Sequence, residues 1–377
     1  MPLAAFLSLE DIAQALPPYR EEVVRVEMDE VLKRAYQKLE EEVKEALRKY
    51  RGNASVISVG MNALLLYPDR PFKLGTLYGS EFDPETHRRE RFVIAEPEDL
   101  DESVLYAKEQ RLIEEAKFSL SRGRKVHVFA VYTRTRDVTR RLERILQHEG
   151  MRVAVLTSDV KPELREGWYE RQSRQGVQVV IGHPKLCCLG LDLLEYADLF
   201  FWETGYSLYT LRQASRRSWR IGQRDEVTVK YFAYANTAQE TCLRLMGRKL
   251  LVSLAMEGKF STEGLQAVGE DDDLLMAVAR ELVTEKGIGE SAEVVWKSIQ
   301  EQNAAIGRAE SSPTESFAEV EAPPDNEVMV PAQEPLPAVI DQLLLFGASL
   351  SAASGCKRAA RRPSSQLSPV DQQLGLF

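Results

Sequence analysis

The chain has 377 residues, of which 44% are hydrophobic and 28% charged, with a formal net charge of −9. That is enough for about two globular domains plus extensions, and no apolar run approaches the roughly eighteen residues that would suggest a membrane span. Four cysteines (Cys187, Cys188, Cys242 and Cys356) and four histidines show no ligand spacing. They argue for reduced thiols in a cytoplasm and against a metal site or disulfide frame. The net charge hides an asymmetry: residues 122–257 carry 23 Lys plus Arg against 15 Asp plus Glu. A basic lobe in an acidic chain suits a surface that meets polyanions.

The first residues, MPLAAFLSLEDIAQALPP, lack the basic start and cleavage site of a signal peptide. Val23 to Met28 alternate apolar and charged residues, the period of a half-buried strand. Asp29 then reads as the N-cap of a helix whose apolar positions Val31, Ala35, Leu39, Val43, Ala46, Leu47 and Tyr50 recur every three to four residues. Between 51 and 121 the pattern predicts a helix from Ala54 to Leu66, a turn at Tyr67 to Phe72, and a helix from Glu102 to Leu120, separated by Gly- and Pro-rich turns. From Lys125 strands and helices alternate. KVHVFAV, VAVLT, VQVVIG, LFFW and VTVKYFAY read as strands. Asp137 to His148, Leu164 to Gln175, an arginine-rich block and Thr237 to Ala255 read as helices. Short-linked alternation of this kind means a parallel sheet wrapped by helices, with ligands outside the carboxyl ends of its strands.

The block Leu211 to Gln223, LRQASRRSWRIGQ, is expected to form a short helix that opens after Thr210 and closes at Gly222. On a helix Arg217 and Arg220 are neighbours. Two adjacent guanidiniums repel unless an anion lies between them, and their planar donor forks suit phosphate oxygens. The order Gln213, Arg217, Arg220, Ile221, Gly222, Gln223 resembles the sixth motif of superfamily-two helicases, closest to the Swi/Snf-like branch, with Trp219 where that branch usually has His. The resemblance implies that Arg220 is a finger for phosphoryl transfer, worth roughly three to five orders of magnitude in rate, with Arg217 assisting and Gln213 positioning the nucleotide.

Two further stretches resemble motifs of the same family. KVHVFAVYTRTRDVTRRL is similar to the fourth motif and offers Thr133, Arg136 and Arg140 to a nucleic-acid backbone, with Arg141 and Arg144 on the same helix; a solvated helix face accounts for these arginines equally well. GHPKLCCLGLDL is similar to the fifth, from which Gly190 and Asp192 carry over to the nucleotide wall, although Cys187, Cys188 and Leu189 replace the usual polar residues. Trp219, flanked by arginines, is a candidate for stacking on a base. LPPYREEVVRVEMDEVLKRAY resembles the segment that leaves the first motor lobe.

That lobe requires a glycine-rich phosphate loop, and no GxxxxGK[ST] occurs in the sequence. Neither Gly258 to Ser261 nor the pair Asp29 and Glu30 supplies a Walker A or B motif. The resemblance therefore implies an α/β chain whose RecA-like parallel sheet is flanked by helices, with an N-terminal helical segment and a disordered tail. The expected divisions are 1–50, leading out of the first lobe; 51–121, a helical insertion; 122–258, the second RecA-like lobe; 259–306, accessory helices; and 307–377, the tail. ATP and Mg²⁺ would lie at an interface with a separate phosphate-loop lobe, without which this hydrolase-type lobe would be inactive, and no metal site would belong to this chain.

The tail turns to Ser, Pro, Ala, Glu and Gln, the composition of disorder. It holds two apolar islands, QLLLF (Gln342, Leu345, Phe346) and QLGLF (Gln373, Leu376, Phe377). One chance copy of the shared pattern is expected in on the order of one chain in a hundred. The pattern resembles the pentapeptide by which bacterial replication and repair proteins dock on the sliding clamp, and two copies would add avidity. The expected partners are thus DNA, a first lobe and the clamp, with no membrane. The alternative function is a catalytically inactive DNA-binding adaptor docked on the same clamp.

Overall fold

In the computed structural model the described residues are 16–83, 85, 87–131, 136–187, 191–203, 208–257, 271–284 and 291–309. Thr133, Gly190 and all six tail positions lie outside them.

Six parallel strands form one sheet in the order β1 (Tyr19–Val26), β8 (Val227–Tyr234), β7 (Asp198–Phe201), β4 (Val126–Phe129), β6 (Val179–Gly182) and β5 (Val153–Leu156). The central strands are buried at every position, as expected where helices cover both faces. The expected strands and helices from Lys125 onward occur, with α4 at Thr139–His148, α5 at Arg165–Arg174, α7 at Leu208–Ser215 and α8 at Ala238–Glu257. A short helix, α6 (Pro184–Cys187), follows β6. β4 is followed in sequence by β5, which lies beyond β6, whereas β7 is followed by β8 on its other side. The chain therefore diverges between β4 and β7, and their carboxyl ends mark the switch point where ligands bind in such sheets.

The first expected strand is shifted. β1 begins at Tyr19 and ends at Val26, because Tyr19 pairs with Val227 and the ladder runs in register to Val26 and Tyr234. Both Val23 and Val24 are buried, so the strand is covered on two faces, not one. The helix that follows, α1 (Glu30–Lys49), buries Leu32, Ala35, Tyr36, Leu39, Val43, Ala46 and Leu47. Asp29 does not cap it with its side chain. Its Oδ2 instead accepts from the Ala107 amide at 2.9 Å, at the start of α3 (Ala107–Ser121).

The stretch between α1 and α3 holds the expected α2 (Ala54–Leu66), capped by the Asn53 side chain on the Ser55 and Val56 amides. It also holds two strands that the periodicity did not announce, β2 (Leu77–Asp83) and β3 (Arg88–Ala95), which form an antiparallel hairpin separate from the main sheet. A buried network ties this insertion to the lobe. Lys108 Nζ donates to Asp69 at 2.7 Å, and Gln239, on α8, donates to the other Asp69 oxygen at 2.8 Å. Burial pushes Asp69 up to about 6, against the opposing pull of Lys108. Helices at Asp271–Thr284 and Ala292–Ala309 pack on α8, the second through Trp296, whose Nε1 donates to the Leu243 carbonyl.

Candidate functional site

The arginine block is only partly a helix. α7 ends at Ser215, whose Oγ bonds the Leu211 carbonyl, and the amides of Arg217 and Ser218 then bond three residues back to Ala214 and Ser215. The Arg216 and Trp219 amides still bond four residues back, to Arg212 and Ser215, so the turn after α7 mixes the two patterns, and Arg217 and Arg220 lie past the end of the regular helix. Gly222 reverses the chain at φ +99°, in the left-handed region glycine tolerates. Gln223 staples the turn. Its amide nitrogen donates to the Leu194 and Ser218 carbonyls at 2.9 and 3.2 Å, and its oxygen accepts from the amides of Arg224 and Asp225.

Three contacts join this turn to the stretch after β6. The Leu193 amide donates to the Arg217 carbonyl at 2.9 Å, Gln223 reaches Leu194, and Arg220 meets Asp192 at 2.6 Å. The structure thus brings together Asp192, Arg217 and Arg220, drawn from two separate motifs. The Arg220 and Asp192 side chains remain 50% and 53% exposed. An exposed pair of this kind is worth at most about 1 kcal/mol, so a multiply charged anion can take the guanidinium from the aspartate at little cost. Arg217 is half-buried, as is Gln213 on α7.

Of the arginines read as facing a nucleic-acid backbone, Arg140 is exposed and ion-paired with Glu143 at 2.9 Å. Arg136 precedes α4, which opens at Thr139 with the Asp137 carboxylate accepting from the Thr139 amide. Arg141 turns inward: it is buried, bonded to Glu109 and to the carbonyls of Glu102 and Val104. It joins α4 to α3 and is withdrawn from the surface. Trp219 is likewise no open platform, since its Nε1 donates to the Pro17 carbonyl at 2.8 Å and its ring lies 5.0 Å from Tyr19.

Sequence reasoning missed the anchor of the block, Arg212. It reaches Glu21 on β1 at 2.8 Å, with both side chains buried. Tyr19 and Tyr231 also donate to Glu21, at 3.0 and 2.8 Å. Burial, then Glu21, pushes both tyrosine hydroxyls up, so they serve as donors at any ordinary pH. An arginine inside a basic block gives no sign in one sequence of which guanidinium turns inward. Behind the switch point lies a second buried cluster. His127 Nε2 is 2.8 Å from Tyr169 Oη, which is 3.2 Å from Cys187 Sγ. Burial lowers His127 to about 3, which keeps the imidazole neutral.

Among the described residues no group of three or more His, Cys, Asp or Glu is placed to hold a metal ion, and no helix is long and apolar enough to cross a membrane. The exposed guanidinium of Arg220 suits a phosphate.

No protein-family profile matches the chain. It is 31% identical over 166 residues to helicase SWR1 of Cryptococcus neoformans, covering 43% of this chain and 13% of that protein. It is 24% identical over 156 residues to the ATP-dependent helicase fft3 of Schizosaccharomyces pombe, covering 41% and 16%. The chain thus spans less than a fifth of the length of these relatives. In fold it is similar to the crystal structure of the C-terminal part of the Fun30 ATPase domain, with TM-score 0.50, 14% identity, and coverage of 72% of this chain and 99% of that one. In sequence the chain is similar to helicases of the Swi/Snf-like kind over about two-fifths of its length, and in fold the sheet built from β1 and β4 to β8 is a RecA-like α/β sheet flanked by helices.

Proposed function

We propose that this lobe is the carboxyl half of an ATP-dependent, Swi/Snf-like translocase that acts on DNA in the cytoplasm, and that ATP hydrolysis requires a separate lobe bearing the phosphate loop. The observation that carries the reading is the pair Arg220 and Asp192, half-exposed and held together by a turn that is itself stapled to both motifs. The first lobe would hold Mg²⁺ and the nucleotide, which supplies the phosphoryl group. Arg220 then donates to the charge that develops on that group, Arg217 assists at the γ-phosphate, Gln213 positions the site, and Gly190 with Asp192 completes the wall. Asp192 has a second task when no nucleotide is present, since it keeps the Arg220 guanidinium oriented and compensated. Thr133, Arg136 and Arg140 contact the DNA backbone. Arg140 exchanges Glu143 for phosphate, another surface pair that is cheap to break.

In the tail, Gln342, Leu345 and Phe346, and again Gln373, Leu376 and Phe377, dock on a bacterial sliding clamp. Each glutamine amide bonds the pocket rim while Leu and Phe fill an apolar cleft. The test is to mix the full chain with a phosphate-loop lobe and assay DNA-stimulated ATPase. Arg220→Ala should lower the rate by roughly three to five orders of magnitude, and unchanged activity would remove the finger assignment.

A second reading, resting on the two tail islands that need no nucleotide, is a catalytically inactive DNA-binding adaptor docked on the clamp. It requires that no first lobe restore hydrolysis, that DNA binding weaken with salt and ignore ATP, and that clamp affinity vanish when Phe346 and Phe377 are removed together.

A further inference from the structure

The hairpin of β2 and β3 separates its side chains by chemistry. Its inner face packs on the helices. Phe92 stacks on Tyr50 with ring centroids 3.9 Å apart, Ile94 is buried, and a Cβ at Gly79 would lie 2.6 Å from the Phe92 ring, so only glycine lets that ring lie flat. The register places Ser80 across from Arg91 and Phe82 across from Arg89. Alternation therefore puts Tyr78, Ser80, Phe82, Arg89, Arg91 and Val93 on the outer face. That face contains no carboxylate. The acids of the two strands fall on the other parity, where Glu81 stands across from Glu90 and Asp83 from Arg88.

Arg89 and Arg91 are exposed, and no ion pair involves either among the described residues. Arg91 lies over the Tyr78 ring at 4.3 Å, and Arg89 touches the Ser80 hydroxyl at 3.4 Å. Phe82 is 56% exposed and Val93 50% exposed. Two unpaired, exposed guanidiniums beside an open aromatic ring, in a chain of net charge −9, suit an anionic partner that also offers a flat apolar surface.

We propose that this outer face binds single-stranded nucleic acid, with Arg89 and Arg91 on successive backbone phosphates and a base stacked on Phe82. Two positions along a strand are about 6.6 Å apart, so the two guanidiniums address different phosphates. A single strand presents base faces that a duplex keeps stacked, and proteins that take single strands combine basic side chains with aromatic platforms in this way. The surface lies outside the three motifs that carry the proposed motor function and needs no nucleotide or partner lobe.

The experiment is equilibrium binding of the full chain to a fluorescent single-stranded oligonucleotide, without ATP, over a series of salt concentrations. The variants are Arg89→Ala with Arg91→Ala, Phe82→Ala, and Glu81→Gln with Glu90→Gln as the inner-parity control, each checked by circular dichroism and thermal melting. The double arginine variant should reduce the salt slope by about 1.4, two phosphates at about 0.7 each. Phe82→Ala should weaken binding by roughly 5- to 150-fold, while the control binds at least as well as the parent. In a chain that also carries Arg136→Ala with Arg140→Ala, on the surface proposed for the motor's DNA, Phe82→Ala should still weaken binding by the same factor, which separates this face from the motor reading. Failure of the parent to bind, or an unchanged slope in a well-folded double variant, overturns the proposal. So does tighter binding to a duplex that is indifferent to Phe82. Equal competition by polyglutamate of matched charge would assign the face to an acidic protein and equally overturn it.

Discussion

Arg212 and Arg220 belong to one short block and each meets a carboxylate, yet they stand in opposite surroundings. Arg212 and Glu21 are 8% and 1% exposed, whereas Arg220 and Asp192 are 50% and 53% exposed. In water an ion pair is a loose association that salt and competing anions undo. Taken out of water, the same pair becomes a structural commitment, because removing one partner strands the other. Burial, and not residue type, divides the block into an anchor that fixes β1 against the lobe and a donor left open to solvent.

The largest expected effect tests the anchor. Arg212→Ala should cost about 3–5 kcal/mol, the range for leaving a buried partner unpaired, read as a lower urea midpoint with an unchanged m-value. Replacing both partners, Arg212→Met with Glu21→Gln, should cost less than the single change. If the single variant loses under about 1 kcal/mol, the hydroxyls of Tyr19 and Tyr231 suffice for Glu21 and the anchor is misassigned.

The buried imidazole extends the contrast between enclosed and open groups to pH. His127 is held neutral, with its folded pKa lowered to about 3 from an ordinary 6.5, first of all by burial. Between those values the unfolded chain binds a proton that the native state refuses. Stability should therefore be complete above pH 6.5 and fall as pH drops towards 3, by up to about 1.4 kcal/mol per pH unit. His183, lowered to about 4 by burial and then by Lys185, acts in the same direction. Denaturation across this window should show a shallower slope for His127→Gln than for the parent, and an identical slope would mean that the imidazole titrates in place.

Much of this lobe was legible in the sequence because its strands are continuous apolar runs closed by polar helices, and a buried parallel sheet leaves little freedom in where such runs go. The hairpin was not legible. RRERF is charged and the opposing strand contains Gly79, so neither reads as a strand; the pair is held by Phe92 lying on Tyr50, a contact across the fold. The end of α7 was misplaced for a related reason. Residues 216–222 contain no helix breaker before Gly222, yet α7 ends at Ser215, and the turn that follows is tied by Gln223 to Leu194 and by Trp219 to Pro17. Of the expected site residues Asp192 and Arg220 meet across two motifs, whereas Thr133 and Gly190 lie outside the described residues, and which arginine turns inward is decided by partners far away in the chain.

Gly222 tests how firmly the open pair is held. Its φ of +99° strains any side chain, while a Cβ there would approach only Leu194 Cδ1, at 3.5 Å. Gly222→Ala should therefore cost about 1 kcal/mol through backbone strain alone. In the reconstituted ATPase it should lower the rate by displacing Arg220. A stability loss with full activity would show that the turn tolerates movement and that the stapled geometry is not what positions the guanidinium.

The smallest expected change in stability falls on the residue proposed as the finger. Arg220→Ala removes one member of a half-exposed pair and leaves Asp192 free to hydrate, so the urea midpoint should move by no more than about 0.5 kcal/mol. A functional donor has to be cheap to release from its resting partner, since any energy that held it to Asp192 would be subtracted from what it gives a phosphate. A loss of 2 kcal/mol or more, on the order of the anchor's cost, would place Arg220 with Arg212 as a structural arginine. The division of the block would then fail even if the variant were also inactive.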